Sequence, residues 1–251
     1  MTGGFKDHFS AQAAAYAAYR PEYPPALFEY LAGLVGRREL AWDSGTGSGQ
    51  AAVAIARHFA RVVGTDASAA QLAHAVAHPR VEYRVAHAES SGLPSGSVDL
   101  VTVAQALHWF DVDAFYSEAR RVLAPGGVLA AWTYGNPALD VAALDARLRE
   151  FNEETVGDFW PPERRLVVDG YRSLPFPFAE IEPPAFTLEA LWTLDELAGY
   201  LRSWSATARF VARHGRDPVD ALEREMAAFW GPRAERRLVR WPLALRVGRK
   251  S

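Results

Sequence analysis

The segment Asp43-Ser44-Gly45-Thr46-Gly47-Ser48-Gly49 sets an acid ahead of three glycines at alternating positions. Glycine there permits backbone angles closed to other residues and lets a ligand approach the main chain where a Cβ would block it. A short apolar run, Leu40-Ala41-Trp42, leads in, and apolar residues at helical spacing follow from Gln50 to Phe59, so the order is strand, glycine loop, helix. The start of such a helix offers unpaired N–H groups and a positive dipole end to whatever sits on the loop. Taken alone, the loop also reads as a tight strand-to-helix turn with no ligand.

A second acid changes that balance. Arg61-Val62-Val63-Gly64-Thr65-Asp66 reads as a strand ending in a carboxylate seventeen positions after Gly49, and an acid at the tip of the second strand of a βαβ unit is where a pair of ribose hydroxyls is gripped. The loop is not the dinucleotide fingerprint, because the third glycine would fall at position 50, which is Gln50, and Asp43 is foreign to it. Further along, the apolar run 97–104, broken only by Asp99, has the pattern of a parallel strand buried on both faces. Gln105, His108 and Trp109 follow its carboxyl end, where ligands bind in open parallel sheets. Trp132 and Tyr134 end the next strand, 128–132, on the same edge. Core packing is the competing reading for Trp109 and Phe110.

Four blocks in order carry a resemblance: the glycine loop, Val63-Gly64-Thr65-Asp66, Ser97-Val98-Asp99-Leu100-Val101, and Arg121-Val122-Leu123-Ala124-Pro125-Gly126-Gly127. Together they resemble the class I S-adenosylmethionine-dependent methyltransferases. The stretch from Gln105 to Asp111 and the opening from Phe9-Ser10 to Pro24 are similar to the small-molecule branch that includes trans-aconitate methyltransferases. The motifs cover the first half of the chain closely and the second loosely. The resemblance implies S-adenosyl-L-methionine as cofactor, S-adenosyl-L-homocysteine as product, and a cofactor set of Asp43, Gly45, Thr46, Gly47, Gly49, Asp66, Ala67, Ala88, Glu89 and Gln105. In Ala86-His87-Ala88-Glu89, His87 stands where family members often carry an acid near the adenine, so the adenine amino group falls to backbone carbonyls or to Glu89. His87 as a surface histidine is an equal reading. The aromatic cluster Phe9, Tyr16, Tyr19 and Tyr23 with Arg20 is either a helix packing its aromatic face or, as the family suggests, a flap whose Arg20 meets a carboxylate of cofactor or substrate.

The expected fold is α/β: a doubly wound, Rossmann-like, mostly parallel sheet of seven strands with the last antiparallel, an N-terminal helical flap and C-terminal helical cap elements. One methyltransferase domain would divide into flap helices at 1–35, a cofactor-binding core at 36–137, cap helices and the sixth strand at 138–238, and the last strand at 239–247. Helices are expected at 26–35, 68–77, 113–123, 138–155, 194–204 and 218–230, with strands at 81–85 and about 186–188. The proline-rich stretch to Pro184 should hold no long regular element. Pro242 conflicts with a central last strand, which needs every N–H, unless a bulge or an edge position relieves it. Trp160, Tyr171, Trp192, Tyr200 and Trp204, with Arg202 and Arg209, suggest a cap whose rings wall a cavity and whose arginine anchors an anion.

With 251 residues, 49% of them hydrophobic, the chain can bury a full core. A net charge of −3 shows no basic surplus of the kind nucleic acid requires. The absence of cysteine excludes disulfides, thiolate metal sites and covalent cysteine catalysis; no metal site is expected. With no leader pattern and no apolar run of membrane-spanning length, the expectation is a cytoplasmic enzyme that engages no membrane; oligomeric state is left open. The expected reaction is O-methylation of a carboxylate on a small acceptor, read as anionic, touched by Tyr16, Arg20, His108, Trp109, Trp132, Tyr134 and Trp204. A carboxylate needs no base; for a hydroxyl, phenol, amine or ring-carbon acceptor, His108 is the candidate catalytic residue. A non-catalytic cofactor-binding scaffold is the alternative of a different class, and a nicotinamide oxidoreductase conflicts with Gln50.

Overall fold

The computed structural model describes residues 21–251; Phe9, Tyr16, Tyr19 and Arg20 of the expected flap lie outside the described residues, whereas Tyr23 is buried against Trp132. Pro24 and Pro25 fix the backbone at the entry of helix α1 (Pro25–Gly33), as the ring's preset φ favours. Leu27, Phe28, Leu31 and Ala32 give it one buried face. Then come β1 (Leu40–Ser44), α2 (Gln50–Ile55), β2 (Arg61–Asp66), α3 (Ala69–Leu72), β3 (Val81–Val85) and β4 (Val98–Ala104). Helix α4 (Val112–Val122) is capped by the Asp111 carboxylate, which accepts from Ala114 N, and leads into β5 (Leu123–Tyr134).

The expected helix at 68–77 stops at Leu72. Beyond it the chain folds back onto the glycine loop, with Val76 N donating to Ser48 O at 3.0 Å and Tyr83 Oη donating to Val76 O at 2.8 Å.

After β5 come β6 (Ala138–Leu139), α5 (Ala142–Glu150) with a wider turn at Phe151–Thr155, α6 (Arg164–Val168), β7 (Ala179–Ile181) and β8 (Thr187–Trp192). Helices α7 (Leu194–Arg202), α8 (Ser205–His214) and α9 (Val219–Trp230) precede β9 (Arg237–Arg249). Helix α8 is absent from the sequence expectation. Extended backbone at Trp204 (ψ 137°) ends one helix and starts the next with no glycine or proline to mark the break. The expected sixth strand at 186–188 falls at the start of β8, and β7 adds a short strand within the proline-rich stretch.

The sheet order is β3-β2-β1-β4-β5-β9, parallel through β5, with β9 antiparallel to β5 on one side and to β7 and β8 on the other. This is the doubly wound fold with an antiparallel last strand. The period-2 alternation of the strands sorts the two layers. Ala41, Leu100, Val128, Ala130 and Trp132 face α1, α2 and the C-terminal helices, whereas Trp42, Val101, Val103, Leu129 and Ala131 face α4 and the segment around Tyr171.

Strand β9 is central, yet Pro242 costs it no ladder bond. Leu243 N donates to Phe186 O at 2.9 Å, on the β8 side. By alternation the nitrogen of Pro242 points the other way, where pairing with β5 ends at Tyr134↔Leu243 and resumes with β6 at Ala138↔Arg240. The proline nitrogen thus faces the gap between the β5 and β6 pairings.

Pro242→Ala should therefore shift stability by less than about 1 kcal/mol. Leu243→Pro, which removes the bond to Phe186, should cost about 1–3 kcal/mol. Urea titrations of the two variants check the contrast.

Candidate active site

The carboxyl ends of β1, β2, β4 and β5 converge on one edge of the sheet. At β1, the glycine loop takes left-handed φ at all three glycines: +67° at Gly45, +53° at Gly47 and +82° at Gly49. A Cβ on Gly45 would lie 2.6 Å from that of Ala106, and one on Gly49 would lie 2.0 Å from Tyr83 Oη, so the loop seats against the loop after β4 and against β3. A Cβ on Gly47 would meet nothing closer than Gln71 Oε1 at 3.9 Å, leaving the top of the loop open.

Asp43 lies beneath this loop, fully buried. Its Oδ2 accepts from Thr46 Oγ1 at 2.6 Å and its Oδ1 from Thr102 Oγ1 at 2.7 Å. Asp66, at the tip of β2, accepts from Gly47 N through Oδ2 and from Ser68 N through Oδ1, both at 2.9 Å. Burial pushes its pKa up, and these two N–H bonds oppose the rise. Each carboxylate oxygen keeps a lone pair, so Asp66 stands oriented for two hydroxyls beside a glycine cradle, and these residues fit the ribose and backbone contacts of S-adenosylmethionine.

Ala67 follows Asp66 and is half-buried. Ala86 N continues the β2 ladder to Asp66 O at 3.1 Å, Ala88 is buried, and Glu89 Oε1 accepts from Asp111 N at 2.9 Å. Glu89 thereby draws the loop after β3 toward the loop after β4. His87 is exposed, the surface reading. Gln50, the residue that breaks the dinucleotide fingerprint, donates from Nε2 to Pro21 O at 3.0 Å and ties the chain before α1 to the glycine loop's helix.

Gln105 is one of two described non-glycine residues with left-handed backbone, at φ +57°. Its side chain explains how the conformation is held. Nε2 donates to Tyr134 O at 2.9 Å, while Oε1 accepts from Tyr134 N at 3.0 Å and from the Thr133 hydroxyl. The amide acts as an extra rung of the β4–β5 ladder, so its polar atoms are committed to β5.

Gln105, His108, Trp109 and Tyr134 line a cavity of about 110 Å³ whose far wall is Trp160, Arg164, Tyr200, Ser203 and Trp204. Trp132 does not join them. It is fully buried in the core, edge-on to Tyr23 at 5.5 Å and to Phe28 at 6.2 Å, because its position in β5 turns it toward α1. The arginines expected as anchors are also elsewhere: Arg202 is bound by Asp217, Asp220 and Glu223, and Arg209 Nη1 reaches Phe159 O at 3.4 Å. A wider cleft of about 340 Å³ between α7 and α9 is lined by charges that neutralise one another, Asp195 with Arg233 and Asp220 and Glu223 with Arg202.

A cation in the cavity wall that the sequence reading missed is Arg164, on α6. Its guanidinium stacks over Trp160, 4.3 Å from the ring centroid, and donates to Asn136 Oδ1. Among the described residues it has no carboxylate partner, and burial lowers its pKa. Two prolines just before the helix, at 161 and 162, are a helix-start signal that could have located it. His108, on a single turn at Leu107–Trp109, lies 2.8 Å from Tyr171 Oη through Nδ1. Its pKa is pushed down to about 3, first by burial and then by the positive charge of Arg164, so His108 is neutral across the physiological range.

Among the described residues no helix is long and apolar enough to cross a membrane, and no cluster of three or more candidate side chains could hold a metal ion. A family model described as a methyltransferase domain matches residues 42–131. A Dictyostelium discoideum protein named as a methyltransferase is 36% identical over 87% of this chain and 84% of its own. A solved structure from Anaeromyxobacter dehalogenans, named as a type II methyltransferase, is 45% identical, with a TM-score of 0.88 over 92% of this chain and 98% of that one. At 18% identity the likeness extends to the fold of a Haemonchus contortus N-methyltransferase crystallised with S-adenosylhomocysteine, with a TM-score of 0.52 over 98% of this chain and 60% of that one.

The His108 shift has a sign that can be measured. Between about pH 3 and its ordinary 6.5, the unfolded chain holds a proton on this ring that the folded chain does not, so the ring's contribution to stability falls as pH drops below 6.5. In His108→Gln the loss of urea stability from pH 7 to pH 5 should be smaller than in the parent by about 1–2 kcal/mol.

Proposed function

This chain belongs to the S-adenosylmethionine-dependent methyltransferases, and we propose that it methylates a carboxylate oxygen of a small acceptor that carries a second anionic group. The observation that carries this reading is Arg164, a cation with no carboxylate partner among the described residues, set in the wall of the cavity beside the glycine loop's edge of the sheet. Burying a charge without a counter-charge is costly. An anionic group of the acceptor would supply it.

Bound S-adenosylmethionine supplies a methyl group already activated by its sulfonium. The chain's own part is then to hold an acceptor oxygen in line with that methyl and keep water out. Asp66 and the glycine loop fix one side of the arrangement. Trp109, Trp160 and Trp204 form apolar walls on the other, and Arg164 sets where the acceptor's charge lies. The attacking carboxylate loses its charge as the new bond forms, so a guanidinium on that same group would favour the ground state over the transition state. Arg164 therefore serves a separate anionic group of the acceptor.

His108 argues against a hydroxyl or phenol acceptor. A phenol, with a pKa of about 10, would have to yield its proton to a ring whose conjugate acid titrates at about 3. A carboxylate brings no proton to remove.

A screen of mono-, di- and tricarboxylates against neutral esters and phenols, read as release of S-adenosylhomocysteine, tests the assignment; faster turnover of phenols or neutral esters would overturn it. Arg164→Met should raise KM for a dicarboxylate at least tenfold while kcat stays within about threefold and cofactor affinity is unchanged. Asp66→Ala should do the reverse, weakening S-adenosylmethionine binding at least tenfold, about 1.4 kcal/mol, as read by calorimetric titration.

A further inference from the structure

Asn152 is the polar member of an otherwise apolar face. Leu144, Leu148 and Phe151 are buried at helical spacing along α5 and the wide turn that ends it, and Asn152, four positions after Leu148, is buried with them. Burying an amide among apolar neighbours costs stability unless its polar atoms are used. Here the carbonyl is used, because Trp160 Nε1 donates to Asn152 Oδ1 at 3.2 Å. An indole nitrogen can only donate, so the amide must turn its oxygen to the ring.

The backbone brings the two residues together and then stiffens. Val156 N donates to Phe151 O at 3.0 Å across five positions, and a single turn at Gly157–Phe159 carries the chain back to Trp160. Trp160 stands before Pro161 and has extended backbone, φ −67° and ψ 141°, the region to which a following proline confines it. Pro161 and Pro162 preset the entry to α6, where Arg164 is the first residue. What remains free to turn is the side chains. One N–H fixes the rotation of the indole, and the guanidinium of Arg164 stacks on that ring 4.3 Å from its centroid while it donates to Asn136 Oδ1. The same ring lies 5.2 Å from Trp204, which lies 6.2 Å from Phe151. Adjacent residues of one turn thus hold both tryptophans of the far wall.

We propose that Asn152 is a positioning residue: by fixing the ring of Trp160 it holds the guanidinium of Arg164 in place, and so sets affinity for the acceptor's second anionic group without touching it. Asn152 itself does not line the cavity. The first half of the proposal stands on this geometry alone; the second rests on the acceptor reading above. Holding the cation beforehand spares the acceptor the cost of ordering it, which favours affinity.

The test uses the full chain. Asn152→Leu matches the branching of the amide and suits the apolar face. In acceptor-free protein labelled with nitrogen-15 at arginine, the Arg164 Nε–H resonance, identified by its loss in Arg164→Met, should be displaced upfield by the indole ring. Asn152→Leu should remove at least half of that displacement, and a resonance that does not move would overturn the positioning role. For affinity the probe is glutarate, a five-carbon dicarboxylate, titrated with S-adenosylhomocysteine present. Asn152→Leu should weaken glutarate binding about threefold to tenfold and leave S-adenosylhomocysteine binding within twofold. Trp160→Phe, which removes the same bond from the other side, should weaken glutarate binding to a similar degree. The double variant should be no more than twofold worse than either single one. Losses that multiply in the double variant, or a phenylalanine variant that binds as the parent does, would overturn the route through Trp160. A moved Arg164 resonance with glutarate binding unchanged in both Asn152→Leu and Arg164→Met would leave the positioning standing and overturn the effect on affinity together with the dicarboxylate reading.

Discussion

The two hydroxyl groups that close on the Asp43 carboxylate hold the frame on which the site is built. Thr46 belongs to the glycine loop and Thr102 to β4, so a single fully buried acid fastens the loop to the strand beside it. With that bond in place, Gly45 lies against Ala106 and Gly49 against Tyr83, and each approach is closer than any side chain allows. Asp66 then grips Gly47 from the other flank. A buried carboxylate leaves little slack, because every oxygen must find a donor. The loop can vary only where those donors survive.

Much of this was legible in the sequence because the first half of the fold is periodic. The glycine spacing, the acid at position 66 and the mostly apolar strand at 98–104 state local requirements of main chain and burial, and residues near in sequence meet them. The second half was harder to read for a physical reason. Arg164 and Tyr171 make hydrogen bonds to groups far along the chain, Asn136 and His108, and they sit in a stretch whose prolines suggested only irregular structure. Trp132 was misplaced by one layer, because strand-end position alone does not say which face a ring takes; its packing on Tyr23 and Phe28 does. Gln105 was placed at the right edge, but its amide proved to be spent on β5. The arginines at 202 and 209 were read from type alone, and their partners lie within the cap.

The polar groups of the cavity are arranged for holding rather than for moving protons. His108 titrates far below neutrality, burial drives the Tyr171 hydroxyl well above its ordinary range, and Arg164 keeps a charge that its surroundings do not balance. Aromatic rings fill the remaining wall, with Trp160 stacked on Arg164 on one side and 5.2 Å from Trp204 on the other. On the proposed reading, selectivity comes from the match between one fixed cation and the acceptor's own charge, set in surroundings that water does not readily soften.

The unbalanced guanidinium of Arg164 also bears on how the protein would respond to selection for heat resistance. A buried cation without a counter-charge weakens the fold that contains it, and an apolar residue of similar length there would tend to strengthen it. On the proposed reading, position 164 is thus a place where durability and recognition pull in opposite directions. A lineage pressed toward higher growth temperature would keep the arginine only while its acceptor remained abundant enough to act as a folding ligand.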